Sequence, residues 1–283
     1  MKLCRFGPAG QERPGMIDAA GGLRDLSALK ARLTGADISP AALSALAAVD
    51  ASRLPLVQGN PRLGPPLEGI GKYICIGLNY SDHAAESNLP IPPEPIIFMK
   101  AVTAICGPDD DTIMPQGGSK LDWEVELAIV IGTIARNVTR ESALDHVAGW
   151  CLANDISERA FQMQSPQWDK GKGCDTFGPL GPWLVTRDEI ADVNDLDMWL
   201  DVNGERRQTG NTGTMIFDPA TIVSYVSRFM TLMPGDVIAT GTPPGVGMGM
   251  KPDPVWLKPG DVVELGIEGL GRQRQTIRDS QPR

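Results

Sequence analysis

The stretch that decides the fold is Leu121-Asp122-Trp123-Glu124-Val125-Glu126-Leu127-Ala128-Ile129-Val130-Ile131-Gly132, which starts acidic and ends apolar. This pattern is typical of one β-strand, in which side chains two residues apart lie on the same face, about 6.6–6.8 Å apart. Glu124 and Glu126 therefore lie side by side, and the apolar residues that alternate with them point into a core. Two carboxylates this close repel each other unless a cation lies between them. The pattern suggests a ligand site, most simply for a divalent cation, with a solvated strand face as the alternative.

The composition indicates a β-containing fold, and together with the strand patterns and the family resemblance described below it leads us to predict a mainly β fold of the α+β class. The chain has 283 residues, enough for one large domain or for a large domain and a small one. Hydrophobic residues make up 42%, enough for a sizeable core, whereas aromatic residues make up only 5%. The 32 glycines and 24 prolines favour a turn-rich, β-containing fold over a helical bundle.

Charge and cysteine content exclude several classes of function. The net charge is −9 and no basic cluster stands out, so we expect neither a nucleic-acid partner nor a membrane-surface partner. Five cysteines without a C-x-x-C motif fit a reducing compartment. With only two histidines as well, a metal site built on thiolates or imidazoles is nearly excluded. We also find no apolar run of about 20 residues and no signal-peptide pattern, so we predict a cytoplasmic protein.

Two domains are predicted from the order of short patterns along the chain. Residues 1–66 form a small N-terminal domain, and residues 67–283 form the domain that carries the candidate site. The Pro- and Gly-rich residues 61–66 are the candidate linker.

Local signals place several elements within these domains. Ser39 and Asp218 are predicted helix N-caps, each followed by proline at the first helical position. Asn203-Gly204 predicts a hairpin turn, and residues 262–267 are predicted to be the last strand.

His83 and Glu86 form the second candidate pair. A strand over residues 72–78 leads into a helix that begins near Ser81, which places His83 and Glu86 three residues apart on one helix face. A carboxylate beside an imidazole fixes its tautomer and raises its basicity, as a general base that acts on water requires. An exposed helix start with an incidental His–Glu pair is the alternative.

Asp155 and Lys172 are weaker candidates. Asp155 ends an apolar strand and is the best third ligand for Glu124 and Glu126, although it could equally cap a helix over residues 157–164. Lys172 lies between two glycines in a loop over residues 171–182, where it could place a positive charge in a site or remain solvated. His146, in a predicted helix over residues 139–146, is interpreted as a surface or packing residue.

Six segments, taken together and in order, resemble the fumarylacetoacetate hydrolase family. They are I-G-L-N-Y-S-D-H-A-A-E (76–86), D-W-E-V-E-L (122–127), A-N-D-I-S-E-R-A-F-Q (153–162), G-K-G-C-D-T-F-G-P-L-G-P (171–182), M-I-F-D-P (215–219) and P-G-D-V-I-A-T-G-T-P-P-G-V-G (234–247). The resemblance implies a mixed β-sandwich roll that is often a homodimer, with dimers pairing into tetramers as an alternative, and that holds Mg²⁺, Mn²⁺ or Ca²⁺.

The resemblance also implies roles for individual residues. Gly173-Cys174 is a departure, because some members carry Ser-Phe there. The matches are Glu124, Glu126 and Asp155 to the metal carboxylates, His83 and Glu86 to a water-activating pair on a mobile lid, Lys172 to the active-site lysine, Gln162 and Thr242 to substrate-contacting positions, Arg159 to the same motif as Gln162, and Thr240 to the loop that helps hold the substrate carboxylate.

The implied reaction is hydrolysis of a carbon–carbon bond in a 2,4-diketo acid. Three oxygen ligands leave about half of an octahedral shell open, where a 2-oxo acid could chelate the metal. The N-terminal residues 1–15 are similar to those of bacterial sugar-acid enzymes, which implies L-2,4-diketo-3-deoxyrhamnonate, or the fuconate derivative, as substrate and pyruvate and L-lactate as products. The alternatives are an acylpyruvate hydrolase, a decarboxylase of oxaloacetate or another 2-oxo acid, a ureidoglycolate lyase, and a silent metal- or sugar-acid-binding protein.

Overall fold

The structure, a computed structural model of the chain, describes residues 1–86 and 88–280. Its strands are β1 (Lys2–Phe6), β2 (Arg13–Ile17), β3 (Leu23–Asp25), β4 (Leu63–Gly64), β5 (Tyr73–Gly77), β6 (Ile96–Lys100), β7 (Ile105–Cys106), β8 (Thr112–Ile113), β9 (Leu121–Asp122), β10 (Val125–Ile131), β11 (Val147–Asn154), β12 (Ser157–Glu158), β13 (Gly178–Pro179), β14 (Leu184–Thr186), β15 (Asp197–Val202), β16 (Glu205–Asn211), β17 (Val237–Ala239), β18 (Val262–Ile267) and β19 (Gly271–Arg278). Its α-helices are α1 (Pro40–Ala47), α2 (Ser81–Glu86), α3 (Arg140–Ala143), α4 (Arg159–Gln162), α5 (Asp169–Lys172) and α6 (Pro219–Ser227).

Two large sheets organise the fold. The first has ten strands, nine of them in the order β3-β2-β1-β14-β11-β10-β17-β5-β6, and the tenth, β4, pairs with β1. The second has five strands in the order β16-β15-β18-β19-β8. Most neighbours are antiparallel, whereas β17 and β5 pair in parallel, as do β19 and β8. The predicted mainly β fold is confirmed. Within the described residues, no helix is long and apolar enough to cross a membrane.

Strand β10 lies inside the ten-stranded sheet and is buried on both faces. Val125, Leu127 and Ile129 belong to a core that includes residues of β15 and β18 from the second sheet. Ala128 and Val130 point the other way, into a core shared with the N-terminal segment and α1. Because side chains alternate along a strand, Glu126 lies on the face of Ala128 and Val130.

The N-terminal segment joins the large sheet directly. Strand β1 pairs with β14, and β4, which lies within the predicted linker, pairs with β1. Residues of β1 and α1 also share the core behind β10. The domain boundary after residue 66 stays a prediction.

The predicted caps and hairpin are confirmed. The Ser39 hydroxyl accepts a hydrogen bond from Ala42 N (3.3 Å), and the Asp218 carboxylate accepts one from Thr221 N (2.8 Å). Asn203 and Gly204 both have positive φ, as a two-residue hairpin turn requires.

Three predicted elements were wrong in detail. Leu121 to Gly132 is not one strand, because β9 pairs with β12 in a separate small sheet and Glu124 lies between β9 and β10. Residues 157–164 begin with β12, and the cap of the following helix α4 is Glu158, which accepts from Ala160 N (3.0 Å), not Asp155. Lys172 is the last residue of α5 and is not in a loop.

The predicted last strand, 262–267, is followed by another, β19. Its inward side chains include the buried residues Gln273 and Gln275, whereas Arg272 and Arg274 are exposed. Because its inward positions include glutamines, the sequence of this strand is polar on both faces, and it was not predicted as a strand. The segment of the predicted helix 139–146 consists of α3 and a 3-10 turn, and His146 Nδ1 hydrogen-bonds with the Thr133 hydroxyl (3.0 Å), which fits the predicted packing role.

Candidate active site

Three buried carboxylates meet at one end of β10. Glu124, Glu126 and Asp155 each offer an oxygen atom, and these atoms lie within 4.8 Å of one another. Glu126 is on β10 and Glu124 just precedes it, while Asp155 directly follows β11, whose Asn154 pairs with Val125. The antiparallel pairing of β10 and β11 therefore brings the three predicted ligands together. Their role as metal ligands stays a prediction.

Two cations contact these carboxylates through hydrogen bonds. Lys172 Nζ donates to Glu124 Oε2 (2.6 Å) and to Asp155 Oδ2 (2.7 Å). Arg159 Nη2 donates to the other oxygen of Glu124, Oε1 (2.5 Å). Arg159 Nε in turn donates to Asp122 Oδ2 (2.8 Å).

A third cation, Lys100, lies behind Asp155. Its Nζ is 2.5 Å from Asp155 Oδ1 and donates to the backbone oxygens of Ile156 (2.9 Å) and Lys172 (2.6 Å). The Lys100 and Asp155 side chains have no exposed surface. We call these seven side chains the charged cluster: Lys100, Asp122, Glu124, Glu126, Asp155, Arg159 and Lys172.

The pKa shifts differ among the carboxyl groups of the cluster. Burial raises the pKa of Glu124, but the nearby charges of Arg159 and Lys172 outweigh it and hold that pKa well below its usual value. Burial, together with the charges of Asp155 and Glu124, raises the pKa of Glu126 well above its usual value. Burial opposes the charge on Lys172, yet Asp155 and Glu124 raise the pKa of its ammonium to about 12.

The donor set fits a hard divalent cation. Four carboxylates face three cationic side chains in the cluster, and Glu126 forms no ion pair within the described residues. Glu126 Oε2 instead accepts a hydrogen bond from Gly241 N (2.9 Å). Asp155 Oδ1 is buried without a hydrogen bond of good geometry in the same part of the chain, although the Lys100 ion pair is close. The cluster thus has one carboxylate more than it has cations, and hard divalent cations bind carboxylate oxygens, so this triad could hold a divalent metal ion.

His83 and Glu86 meet on helix α2 as predicted. His83 Nδ1 lies 3.2 Å from Glu86 Oε2 and must be the donor, because the carboxylate accepts. This bond leaves Nε2 as the ring nitrogen that can take a proton. The His83 side chain is 13% exposed and the Glu86 side chain is 31% exposed, in contrast with the buried cluster.

One loop contacts both groups. Gly241 N donates to Glu126, and Gly245 N donates to Glu86 Oε2 (3.2 Å). Gly241 has a φ of +99°, and a Cβ atom there would lie 2.8 Å from Asn79 Cβ, so this position requires glycine. The loop over residues 241–249 therefore spans the distance between the carboxylates and the His83–Glu86 pair.

The four predicted substrate residues are buried near the cluster. Gln162 Oε1 accepts from Arg159 Nη1 (2.9 Å), which joins the first and the last residue of α4. The Thr240 hydroxyl donates to Leu127 O (3.0 Å) and the Thr242 hydroxyl donates to Val125 O (2.9 Å). Both threonine hydroxyls therefore bind the loop to β10, and contact with a substrate stays a prediction for all four residues.

Sequence reasoning assigned no role to Lys100 and Asp122. Lys100 ends the apolar strand β6, and a lysine at a strand end is usually solvated, so only its pairing with Asp155 in space identifies it. Asp122 is fully buried and accepts from Gly247 N (2.6 Å) and Met248 N (3.1 Å) as well as from Arg159. Its position two residues before Glu124, in the same spacing as Glu124 and Glu126, was the sequence feature that could have indicated a role.

A cavity of about 660 Å³ lies elsewhere, between α1 and residues at the ends of β11 and β14. Its lining is mostly apolar and includes Leu43, Trp150 and Val193, but none of the charged cluster. Size alone therefore does not identify the candidate site, which rests on its chemistry.

Comparison with known proteins gives consistent matches along the whole chain. The model of the fumarylacetoacetate (FAA) hydrolase C-terminal domain matches residues 72–278. A protein of Burkholderia cenocepacia (strain HI2424), provisionally named a hydrolase, is 58% identical over 282 residues, which cover 99% of this chain and 100% of that protein.

Solved structures agree with this assignment. Fumarylacetoacetate hydrolase from psychrophilic Exiguobacterium antarcticum is 39% identical with a TM-score of 0.89, covering 99% of this chain and 100% of the other. Maleylpyruvate hydrolase from Sphingobium sp. SYK-6, in complex with manganese(II) ion and pyruvate, is 30% identical with a TM-score of 0.82 and the same coverage. Other matching structures carry the names of isomerases. This chain is therefore an enzyme, and it belongs to the fumarylacetoacetate hydrolase family of hydrolases and isomerases.

Proposed function

We propose that this enzyme is a metal-dependent hydrolase that cleaves the C3–C4 bond of a 2,4-diketo-3-deoxy acid. The candidate substrate is L-2,4-diketo-3-deoxyrhamnonate, and the products are pyruvate and L-lactate. The observation that carries the proposal is the convergence of Glu124, Glu126 and Asp155 within 4.8 Å, with the Lys172 ammonium against two of them. The Sphingobium enzyme is in complex with manganese(II) ion and pyruvate, which supports a divalent metal ion and a 2-oxo acid as ligands of this enzyme.

Glu124, Glu126 and Asp155 would hold the metal ion, with Mg²⁺ as the first candidate and Mn²⁺ or Ca²⁺ as alternatives. When bound, a divalent cation supplies Lewis-acid polarisation of the 2-oxo acid. Arg159 donates to one oxygen of Glu124 and so orients this carboxylate relative to Glu126 and Asp155. Such supporting contacts orient ligands and tune their donor strength.

The proton transfer is assigned to His83 and Glu86. Glu86 accepts a hydrogen bond from His83 Nδ1–H, which leaves Nε2 free to take a proton from a water molecule that attacks C4. The C3–C4 bond then breaks, its electron pair goes to C3 next to the 2-oxo group, and C3 takes a proton to give pyruvate. The acyl carbon C4 keeps the water oxygen and leaves as the second acid.

Lys172 is assigned to the oxyanion that develops on C4. Its ammonium remains protonated because the carboxylates raise its pKa to about 12. A fixed positive charge in a water-poor site contributes about 3–4 kcal/mol to stabilisation of such an oxyanion. Gln162, Arg159, Thr240 and Thr242 are the proposed substrate-binding residues, and a homodimer or tetramer in the cytoplasm remains the proposed assembly and location.

The direct test is incubation of the purified protein with Mg²⁺ and synthetic L-2,4-diketo-3-deoxyrhamnonate. We expect pyruvate and lactate in equal amounts, separated by chromatography, and product release slower by about 10²- to 10⁴-fold from a His83→Ala variant. If the wild-type protein releases no pyruvate, the proposed substrate is wrong. Release of carbon dioxide from oxaloacetate in the same assay would instead favour the decarboxylase.

A further inference from the structure

The dipeptide Asp122-Trp123 contacts both ends of one short segment, residues 245–248, which we call the support loop. The Trp123 side chain is fully buried, and its Nε1 donates to Gly245 O (3.1 Å). Asp122 Oδ1 accepts from Gly247 N (2.6 Å), and Oδ2 accepts from Met248 N (3.1 Å). The backbone of the support loop is therefore held at three points by two adjacent side chains.

The support loop packs closely against its neighbours at Gly245 and Gly247. A Cβ atom on Gly247 would lie 2.1 Å from Val255 O, 2.7 Å from Asp122 Oδ1 and 3.1 Å from the Trp123 ring. Gly245 has a φ of +101°, and a Cβ atom there would lie 2.0 Å from Arg207 O. Glycine at both positions allows the backbone to pack directly against its supports.

The support loop also contacts Glu86 of α2. Gly245 donates its N–H to Glu86 Oε2 while its carbonyl oxygen accepts from Trp123, so one peptide segment links the two side chains. Glu86 Oε2 is also the atom that accepts from His83 Nδ1. On the other side, Asp122 accepts from Arg159, which donates to Glu124. Hydrogen bonds and the backbone of the support loop therefore connect the carboxylate triad to the His83–Glu86 pair.

We propose that Asp122 and Trp123 are positioning residues that set the place of His83 and Glu86 relative to the carboxylate triad. They act through the support loop and touch neither the metal ion nor the substrate. The proposal rests on the proposed function, because it takes His83 and Glu86 as the proton-transfer pair. Such a link places the attacking water at a fixed distance from the bound 2-oxo acid.

The cleanest variant is Trp123→Phe, which removes the Nε1 donor and keeps an aromatic, though smaller, side chain at this buried position. Trp183→Phe is the matched control, because the Trp183 Nε1 is buried without a hydrogen-bond partner in the part of the chain that the structure describes. Asp122→Asn tests the second contact, but it leaves Arg159 with one carboxylate fewer and could impair folding. Trp123→Phe keeps the test decisive in that case.

The first measurement, amide hydrogen exchange of the Mn²⁺-loaded protein, does not depend on turnover. We expect Trp123→Phe to raise exchange about fivefold in residues 245–249 and in α2, as the loss of one hydrogen bond implies, with no change in β11. Trp183→Phe should match the wild type. Unchanged exchange in α2 would overturn the proposal, whether or not the substrate has been identified correctly.

The second measurement is a double-mutant cycle with Glu86→Gln. Alone, Trp123→Phe should lower kcat about five- to tenfold and leave KM and the Mn²⁺ affinity within about twofold. In the Glu86→Gln background it should have no further effect, because the loop would no longer act through that carboxylate. Independent, multiplying effects would contradict the proposal. If the wild-type protein shows no turnover, the proposed function is refuted. The exchange measurement would still decide whether Asp122 and Trp123 are positioning residues.

Discussion

The carboxylate triad and helix α2 are two halves of one candidate site with opposite environments. The triad is buried, and its oxygens meet ammonium, guanidinium and backbone donors at 2.5–2.9 Å. On α2, Glu86 is partly exposed and makes hydrogen bonds of 3.2 Å to His83 and to Gly245. The proposed metal ligands are thus buried at the ends of β10 and β11, while the proposed proton-transfer pair lies on a short, partly exposed helix. The difference predicts that changes in the triad abolish binding, whereas changes on α2 spare binding and slow turnover.

The largest effect is expected from Glu126→Gln. The variant should weaken Mn²⁺ affinity by about 100-fold or more and abolish turnover, because one of three carboxylate ligands is lost. Its metal-free unfolding temperature should be no lower than that of the wild type, because Glu126 forms no ion pair within the described residues and its raised pKa reflects an unfavourable buried charge. Calorimetric titration and thermal unfolding measure the two quantities.

The matched control is Glu141→Gln, at an exposed acid in α3. It should change neither quantity. Mn²⁺ affinity of wild-type strength in Glu126→Gln would contradict the assignment of the triad.

The next effect is His83→Ala. We expect kcat to fall about 10²- to 10⁴-fold, the usual contribution of a general base. Mn²⁺ affinity and pyruvate binding should stay within about threefold of the wild type, since the triad is untouched. Steady-state kinetics measures kcat, and titration measures the Mn²⁺ and pyruvate affinities. A comparable loss of metal binding would contradict the separate roles of the triad and α2.

A smaller effect is expected from Glu86→Gln. The amide keeps the shape but loses the charge that orients His83 Nδ1, and a hydrogen bond to a charged group contributes about 1.5–3 kcal/mol. This corresponds to a fall in kcat of about 10- to 100-fold. The ratio of kcat in the variant and the wild type gives the answer, and an unchanged kcat would mean that His83 does not need its carboxylate partner.

The smallest effect is on the pH dependence of metal binding. Because the pKa of Glu126 is raised, its carboxyl group is protonated below that pKa and must lose its proton when Mn²⁺ binds. Apparent affinity should therefore rise with pH, by at most tenfold per pH unit, and level off above the raised pKa. Calorimetry in buffers of different ionisation enthalpy should show up to one proton released, whereas binding without proton release would contradict the raised pKa.

Much of the site was predictable because it follows local patterns. The acids of β10 and the spacing of His83 and Glu86 are visible in the sequence, and strand pairing brings Asp155 beside Glu124. Lys100 and Asp122 were missed because their function depends on partners far along the chain, Lys172 and Gly247 among them.

The fold departed from prediction where polar side chains replace ordinary strand contacts. Glu124 N donates to Asn154 Oδ1 and Val125 N donates to Gln208 Oε1, so side chains bind the backbone where β9 gives way to β10. Buried glutamines likewise concealed β19. In both places an amide side chain supplies hydrogen bonds that hydrophobic periodicity does not register.

The most direct test of the account is anomalous diffraction from crystals of the protein grown with saturating Mn²⁺. We predict a single strong peak with oxygens of Glu124, Glu126 and Asp155 at about 2.0–2.6 Å, the range of oxygen ligands to hard divalent cations. A peak bound by other residues, or no peak at the triad, would contradict the central claim that these carboxylates form the metal site.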